Sequence, residues 1–254
     1  MDELLKKIIV EAGDVALDLQ AKAKVEYTKK SATDIVTDGD LLSNKIITDA
    51  IKEKYPDHVI LSEEGEHHLG EEYTWIIDPI DGTFNYSKGA PLFCVIIGLA
   101  YKKEMLMGAV YAPALKELYF AEKGKGAFLN GQRIRCSDIT DITLGFGSAL
   151  TGIGPNRIEL WNKFLQEGKK HNIWLGSPGS LGIGLSWVCD GKRDWIVSRG
   201  GNIWDYAASS LILAESGAKI SDINGDPWKL VEGIDNIIAA GTTELHEYLV
   251  KMLK

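Results

Sequence analysis

Apolar residues recur at helical spacing at the start of the chain. Leu4, Ile8, Ile9, Ala12, Val15, Ala16 and Leu19 predict a helix over residues 3–19. A polar stretch, KVEYTKKSATD, follows. A second helix is predicted from Asp38 to Tyr55, with Leu41, Leu42, Ile46, Ile47, Ala50 and Ile51 on one side and Pro56 as its stop. HVILSEEG then reads as a short strand running into acidic residues, and TWIIDP as another. The polar loop between them contains His67 and His68. From Phe93 to Arg135 the runs FCVIIGLAYKK, EMLMGAVYAP, KELYFAEK and GAFLNGQRI, with Gly, Pro and Asn at their turns, predict an antiparallel meander.

Beyond Asp138 strand and helix patterns alternate. LGFGSAL, NIWLGS, DWIVS and NIIAAG read as strands. NRIELWNKFLQEGKKH, LGIGLSWVCDG, NIWDYAASSLILAESGAK and TTELHEYLVKMLK read as helices, the third ended by Gly217. The fold class is therefore α+β in the first part and α/β in the second. The seam near residues 136–143 divides the chain into units 1–140 and 141–254. No internal repeat or low-complexity segment interrupts the pattern.

Composition narrows the function. The 254 residues suit one large domain or two halves sharing a core, and 45% hydrophobic with 25% charged content is that of a soluble globular protein. A net charge of −8 argues against a nucleic-acid footprint, which would want a basic face. It leaves an anionic substrate open, because bound cations invert the local field. Cys94, Cys136 and Cys189 are odd in number and form no CxxC, which reads as reduced thiols in a cytoplasmic protein. The first helix lacks a signal-peptide layout, and no apolar run is long enough to predict a membrane span.

Carboxylates gather where apolar elements end: Asp40 at the start of the second helix, Glu63 and Glu64 after VILS, Asp78 and Asp81 in DPIDG, and Asp205 in NIWDYAA. Burying such groups costs several kcal/mol unless something compensates them. Pro79 biases Asp78 toward extended geometry, so the chain is expected to leave the strand sharply with both aspartates on one side of the turn. Gly82 and Thr83 then open a short helical turn whose free N–H groups attract an anion. Alone, DxxDG is equally an Asx turn, EEG a solvated loop end and Asp205 a helix-terminal charge. Together they offer hard oxygen ligands beside an anion-binding end, as metal-assisted phosphoryl chemistry needs.

WIIDPIDGTFNY, residues 75–86, closely resembles the first signature of the inositol monophosphatase family, W-x-x-D-P-[IL]-D-G-T-x-N-[FY]. Trp204 to Ala208 meet the second, W-D-x-A-A. DIVTDGD, residues 34–40, resembles D-x-V-T-x-x-D, and SEEG resembles G-E-E-[SG] with Ser62 in place of the glycine. The resemblance runs from the first helix to the last. It implies a layered αβαβα sandwich of the inositol monophosphatase/fructose-1,6-bisphosphatase type, a homodimer, lithium sensitivity and two to three Mg²⁺ ions. Glu63, Asp78 and the Ile80 carbonyl would hold one ion, Asp78, Asp81 and Asp205 a second, and Glu63 with waters a third. Thr83, with Asp40, would position and deprotonate the attacking water, and Gly82 and Thr83 would grip the phosphate. The implied substrate is a small alcohol phosphate, inositol 1-phosphate first. Fructose 1,6-bisphosphate, histidinol phosphate and a nucleotide 3′-phosphate are the alternatives.

On the alcohol side the chain departs from the family pattern. Inositol-preferring animal members carry a glutamate seven positions before the signature aspartate, where this chain has Ser198, followed by Arg199. Arg199 could attract a second anionic group or be an exposed loop residue. Gly179, Ser180 and Leu181 fall on the family's substrate-touching G-[ST]-[AS] element, with Leu181 larger than the usual alanine. Adjacent His67 and His68 are expected to point apart, and KGKG, residues 123–126, reads as a turn. GIGP lacks the GK[ST] of a P-loop, and the tryptophans and cysteines read mainly as core. The rival from another class is a non-catalytic, metal-stabilised binding or regulatory protein. Thr83 and Asp40 argue against it, because a structural cation has no use for them.

Overall fold

The computed structural model describes residues 1–22, 27–29, 35–151 and 158–254. Asp34, GIGP and the start of NRIELW lie outside the described residues. Helix α1 (Asp2–Lys22) buries the stripe Leu5, Ile8, Ile9, Ala12 and Ala16. Strand β1 (Tyr27–Lys29), inside the stretch read as polar, pairs antiparallel with β2 (Ile35–Thr37) just beyond it. Helix α2 (Asp38–Lys54) starts from a capping box: the Thr37 hydroxyl accepts the Asp40 N–H, and the Asp40 carboxylate accepts the Thr37 N–H.

Seven strands follow one another in space as in sequence: β3 (Val59–Ser62), β4 (Tyr73–Asp81), β5 (Cys94–Tyr101), β6 (Glu104–Ala112), β7 (Glu117–Glu122), β8 (Gly126–Leu129) and β9 (Gln132–Arg133). Only β3 and β4 are parallel, and the rest is the expected meander. Side chains alternate across this sheet. Trp75, Ile77, Val95, Ile97 and Leu99 pack on α1 and α2. Ile76, Cys94 and Ile96 face the other way, onto α5 (Leu181–Cys189) and α6 (Ile203–Ser216), which come after α3 (Thr83–Ser87) and α4 (Ile158–Glu167) in the chain.

The second sheet has the order β11 (Trp174–Gly176), β10 (Phe146–Thr151), β12 (Trp195–Arg199), β14 (Asn236–Ala240) and β13 (Lys219–Ser221), with β10 parallel to both its neighbours. One of its faces, through Ile196, Ile237 and Ala239, shares a core with α5 and α6. Its other face, through Trp195, Val197 and Ile238, packs on α4 and α7 (Thr243–Leu253). The layers therefore run αβαβα, with α5 and α6 common to both sheets.

Several expectations change. The chain does not leave β4 at Pro79. Pairing with β5 continues to Asp81, opposite Cys94, through an irregularity between Asp78 and Asp81. Strand β3 has already ended at the level of Ile77, so the proline withholds no ladder hydrogen bond on that side. Leu41 and Leu42 stay 52% and 40% exposed. Helix α2 buries Asp40 and Ser43 instead, because its first turn faces the carboxylates rather than the core. The β5–β6 and β6–β7 turns rest on lysines, Lys102, Lys103 and Lys116, at positive φ rather than on Gly, Pro or Asn alone. Trp75 and Trp195 are core, but Trp174 is 69% exposed.

Candidate metal centre and active site

Close packing brings helix α6 to the end of β4. Gly98 and Gly108 face each other across β5 and β6. A Cβ at Gly108 would lie 2.5 Å from the Ala208 carbonyl oxygen. The glycine pair is thus a groove into which α6 settles, helped by small Ala207 and Ala208. One turn earlier on that helix stands Asp205, whose carboxylate also caps the helix through the Asn202 N–H.

Asp78, Asp81 and Asp205 each bring a carboxylate oxygen within 4.8 Å of the others. Asp78 accepts the Ile80 N–H at 3.0 Å in an Asx turn. The Pro79 carbonyl accepts the Ser43 hydroxyl at 2.9 Å, which ties the irregular end of β4 to α2. Asp81 is held by four donors: the Leu181 N–H at 3.0 Å, the Gly182 N–H at 2.7 Å, the Cys94 thiol at 3.4 Å and the Ser180 hydroxyl. Ser180 also caps α5 by accepting the Ile183 N–H. At Gly82 the φ is +90°, and a Cβ would lie 3.0 Å from the Leu92 carbonyl oxygen, so the turn into α3 accepts only glycine. The Thr83 hydroxyl that follows lies 3.0 Å from the Ile80 carbonyl and 3.4 Å from the Asp40 carboxylate.

Among the described residues, the charges acting on these carboxylates are those of other carboxylates. Burial first, then the neighbouring Asp205, pushes Glu63 up to about 8. Burial and then Asp81 push Asp205 up to about 7. Burial raises Asp40 to about 6 against the hydrogen bonds from Thr37. Asp78 is raised by burial, then by Glu63, Asp205 and Asp81. Asp81 is also raised by burial, and its four donors pull the other way. Hard oxygen donors converging in this way fit a divalent cation. Glu63, Asp78, Asp81, Asp205 and the Ile80 carbonyl are the groups that would hold it.

The structure gathers Asp40, Glu63, Asp78, Ile80, Asp81, Gly82, Thr83 and Ser180 at one place. Leu181 joins them through its N–H, and Gly179 supplies the left-handed bend before α5, at φ +73°. Ser198 and Arg199 are placed differently. Ser198 is fully buried, bonded to the Leu150 carbonyl at 3.0 Å and the Tyr206 hydroxyl at 3.1 Å. Arg199 alternates to the other face of β12 and lines a cleft of about 350 Å³ with Lys163, Asn224 and Lys254. The sequence reading missed Cys94 and Gly182 as holders of Asp81, since only strand register and the α5 N-terminus bring them there. KGKG is indeed a turn, and the anion in its N–H cradle is the protein's own Glu215, held by Gly124 and Gly126 at 2.6 and 2.7 Å.

Known proteins share this arrangement. The pattern of the "Inositol monophosphatase family" matches residues 1–254. A Thermotoga maritima "Fructose-1,6-bisphosphatase/inositol-1-monophosphatase" is 36% identical over 219 residues, covering 86% of this chain and 83% of that one. A "Nus factor SuhB" from Pasteurella multocida is 33% identical over 250 residues, covering 95% and 91%. The structure of a Thermotoga maritima IMPase superposes with a TM-score of 0.88 at 32% identity, covering 100% of this chain and 97% of that one. The carboxylate cluster, the layer order and these full-length matches together show that the chain belongs to the inositol monophosphatase family, a family of metal-dependent phosphoric monoester hydrolases.

Proposed function

We propose that the protein is a Mg²⁺-dependent phosphomonoesterase acting on a small alcohol phosphate, with inositol 1-phosphate the first substrate to test. The convergence of Asp78, Asp81 and Asp205 within 4.8 Å, with Thr83 and Asp40 alongside, carries this reading. Two to three Mg²⁺ ions, when bound, would polarise the phosphoryl group and acidify water near neutral pH. The chain's own groups do the remaining work. Glu63, Asp78, Asp81 and Asp205 hold the cations in place. The Thr83 hydroxyl, lying between the Ile80 carbonyl and Asp40, orients the attacking water and passes its proton toward Asp40. The Gly82 and Thr83 N–H groups meet the phosphate at the start of α3. Ser180 and the α5 N-terminus fix Asp81 so that no reorganisation is needed during the reaction.

The protein is proposed to work as a homodimer in the cytoplasm. Supporting the dimer are exposed apolar side chains at the β10–β11 edge of the second sheet, where the paired Trp174 and Phe146 are 69 and 41% exposed. Among the described residues no helix is long and apolar enough to cross a membrane. The test of the chemistry is phosphate release from inositol 1-phosphate, fructose 1,6-bisphosphate, histidinol phosphate and a nucleotide 3′-phosphate, with Mg²⁺ and with chelator. Metal-dependent release from one of them supports the reading and names the substrate. Metal binding with no release from any favours a binding role, which the Nus factor relative makes worth testing.

A further inference from the structure

His67 takes no part in the chemistry just described, yet its ring joins the two sides of the carboxylate cluster. Glu63 sits just beyond β3, the edge strand of the larger sheet, so only one strand flanks it. Its segment closes mainly on itself, through Gly65 N–H to Ser62 O at 2.9 Å and Ser62 N–H to Glu66 O at 3.0 Å, with two bonds outward, from the Glu63 N–H to Ile77 O at 3.1 Å and from the Ser62 hydroxyl to Asn44 on α2 at 2.7 Å. Asp205, by contrast, rides on a helix seated in the Gly98–Gly108 groove. With fewer ties to the rest of the fold, the Glu63 segment is the one free to shift toward or away from Asp205.

His67 opposes that movement. Its Nε2 lies 3.1 Å from the Glu63 carbonyl, which can only accept, so this nitrogen carries the hydrogen and donates. The same ring lies on the indole of Trp204, centroids 5.0 Å apart and planes 42° apart, one residue before Asp205. His68 turns away to Glu66, at 3.5 Å. Further along, the Leu69 N–H reaches Glu232 at 3.3 Å, a more distant tie.

We propose that His67 is a positioning residue, clamping the Glu63 segment to Trp204 and thereby setting how tightly Glu63 serves a divalent cation. The proposal rests on the metal-dependent reading above. It assigns His67 no contact with the cation and no proton transfer.

The test compares the parent protein with His67→Ala, His67→Gln, which keeps a donor but loses the ring, and His67→Phe, which keeps the ring but loses the donor. Mn²⁺ binding is titrated directly by electron paramagnetic resonance, and the Mg²⁺ dependence of phosphate release and the unfolding midpoint in chelator are measured alongside. His67→Ala is expected to weaken Mn²⁺ binding about tenfold, the lower end for groups that orient a ligand from behind. The Mg²⁺ needed for half-maximal rate should rise in step, with kcat at saturating Mg²⁺ and the unfolding midpoint in chelator nearly unchanged. Gln and Phe should each recover part of the affinity. Parent-like Mn²⁺ affinity in His67→Ala overturns the proposal. If that variant does not fold, parent-like affinity in both other variants overturns it. A parent protein that binds no Mn²⁺ removes the metal-dependent reading, and the proposal with it.

Discussion

On the β4 side of the site Asp78 and Asp40 are fixed by neighbours close in sequence, and Asp81 by a cross-strand neighbour together with a distant helix start. Asp78 is turned by Ile80, Asp40 by Thr37, and Asp81 by Cys94 and the start of α5. On the β12 side the residues read as substrate contacts turn elsewhere, Ser198 into the core and Arg199 toward α4 and α7. The difference teaches what a contiguous motif encodes. DPIDGT specifies its own turn, its own Asx bond and its own hydroxyl, so most of its geometry travels with it, Asp81 alone drawing its donors from outside the motif. A residue placed only by its distance from a signature carries no such guarantee, because strand alternation decides which face it meets.

The largest test of that contrast is Asp81→Asn. Activity should fall by roughly a thousandfold while the protein stays folded, since a neutral amide relieves repulsion but binds a cation poorly. Near-parent turnover by a variant with an intact circular dichroism spectrum would remove Asp81 from the ligand set. Next comes Gly108→Ala, whose methyl meets backbone at Ala208. A stability loss of about 1–3 kcal/mol by urea unfolding and weaker metal binding are expected, and an unchanged midpoint would deny the groove its role.

The third test is pH. Glu63, Asp205 and Asp40 are raised to about 8, 7 and 6, so the fold binds more protons than the unfolded chain above pH 4. In chelator their contribution to stability therefore declines as pH rises toward 8. His58 and His246, lowered by burial, act in the opposite sense below about pH 6.5. The clean quantity is the unfolding midpoint with Mg²⁺ minus that with chelator, in which the histidines cancel. It should widen from pH 6 to 8 as the carboxylates become free to bind, and a flat difference would contradict the assigned cluster. Smaller still is Ser198→Ala, expected to cost about 1 kcal/mol of stability with KM unchanged. Smallest is Arg199→Ala, expected to leave KM within about twofold by steady-state kinetics. A tenfold KM change in either would restore the β12 side to the substrate site.

Much of the fold was legible because periodicity and turn residues report local structure. The meander, the alternating second part and both long N-terminal helices follow from them. What escaped was set by tertiary contact. Helix α2 buries Asp40 and Ser43 rather than Leu41 and Leu42, because a polar site lies under its first turn. Strand β13 is three residues long and exists by pairing with β14. Cys94 looked like a small core residue, and only the register opposite Asp81 makes it a partner of that carboxylate. The acidic motifs themselves were readable because each occupies a few consecutive residues, and their convergence came with the family resemblance rather than with spacing.

The grip of Gly124 and Gly126 on Glu215 gives helix α6 the mechanics of a lever. Asp205 is at one arm, Glu215 at the other, and Ala208 rests on the Gly98–Gly108 fulcrum. The arms stand ten positions apart along the helix, about 15 Å. Held at both arms and at the fulcrum, that lever is locked, and Asp205 is presented to the site at a fixed angle.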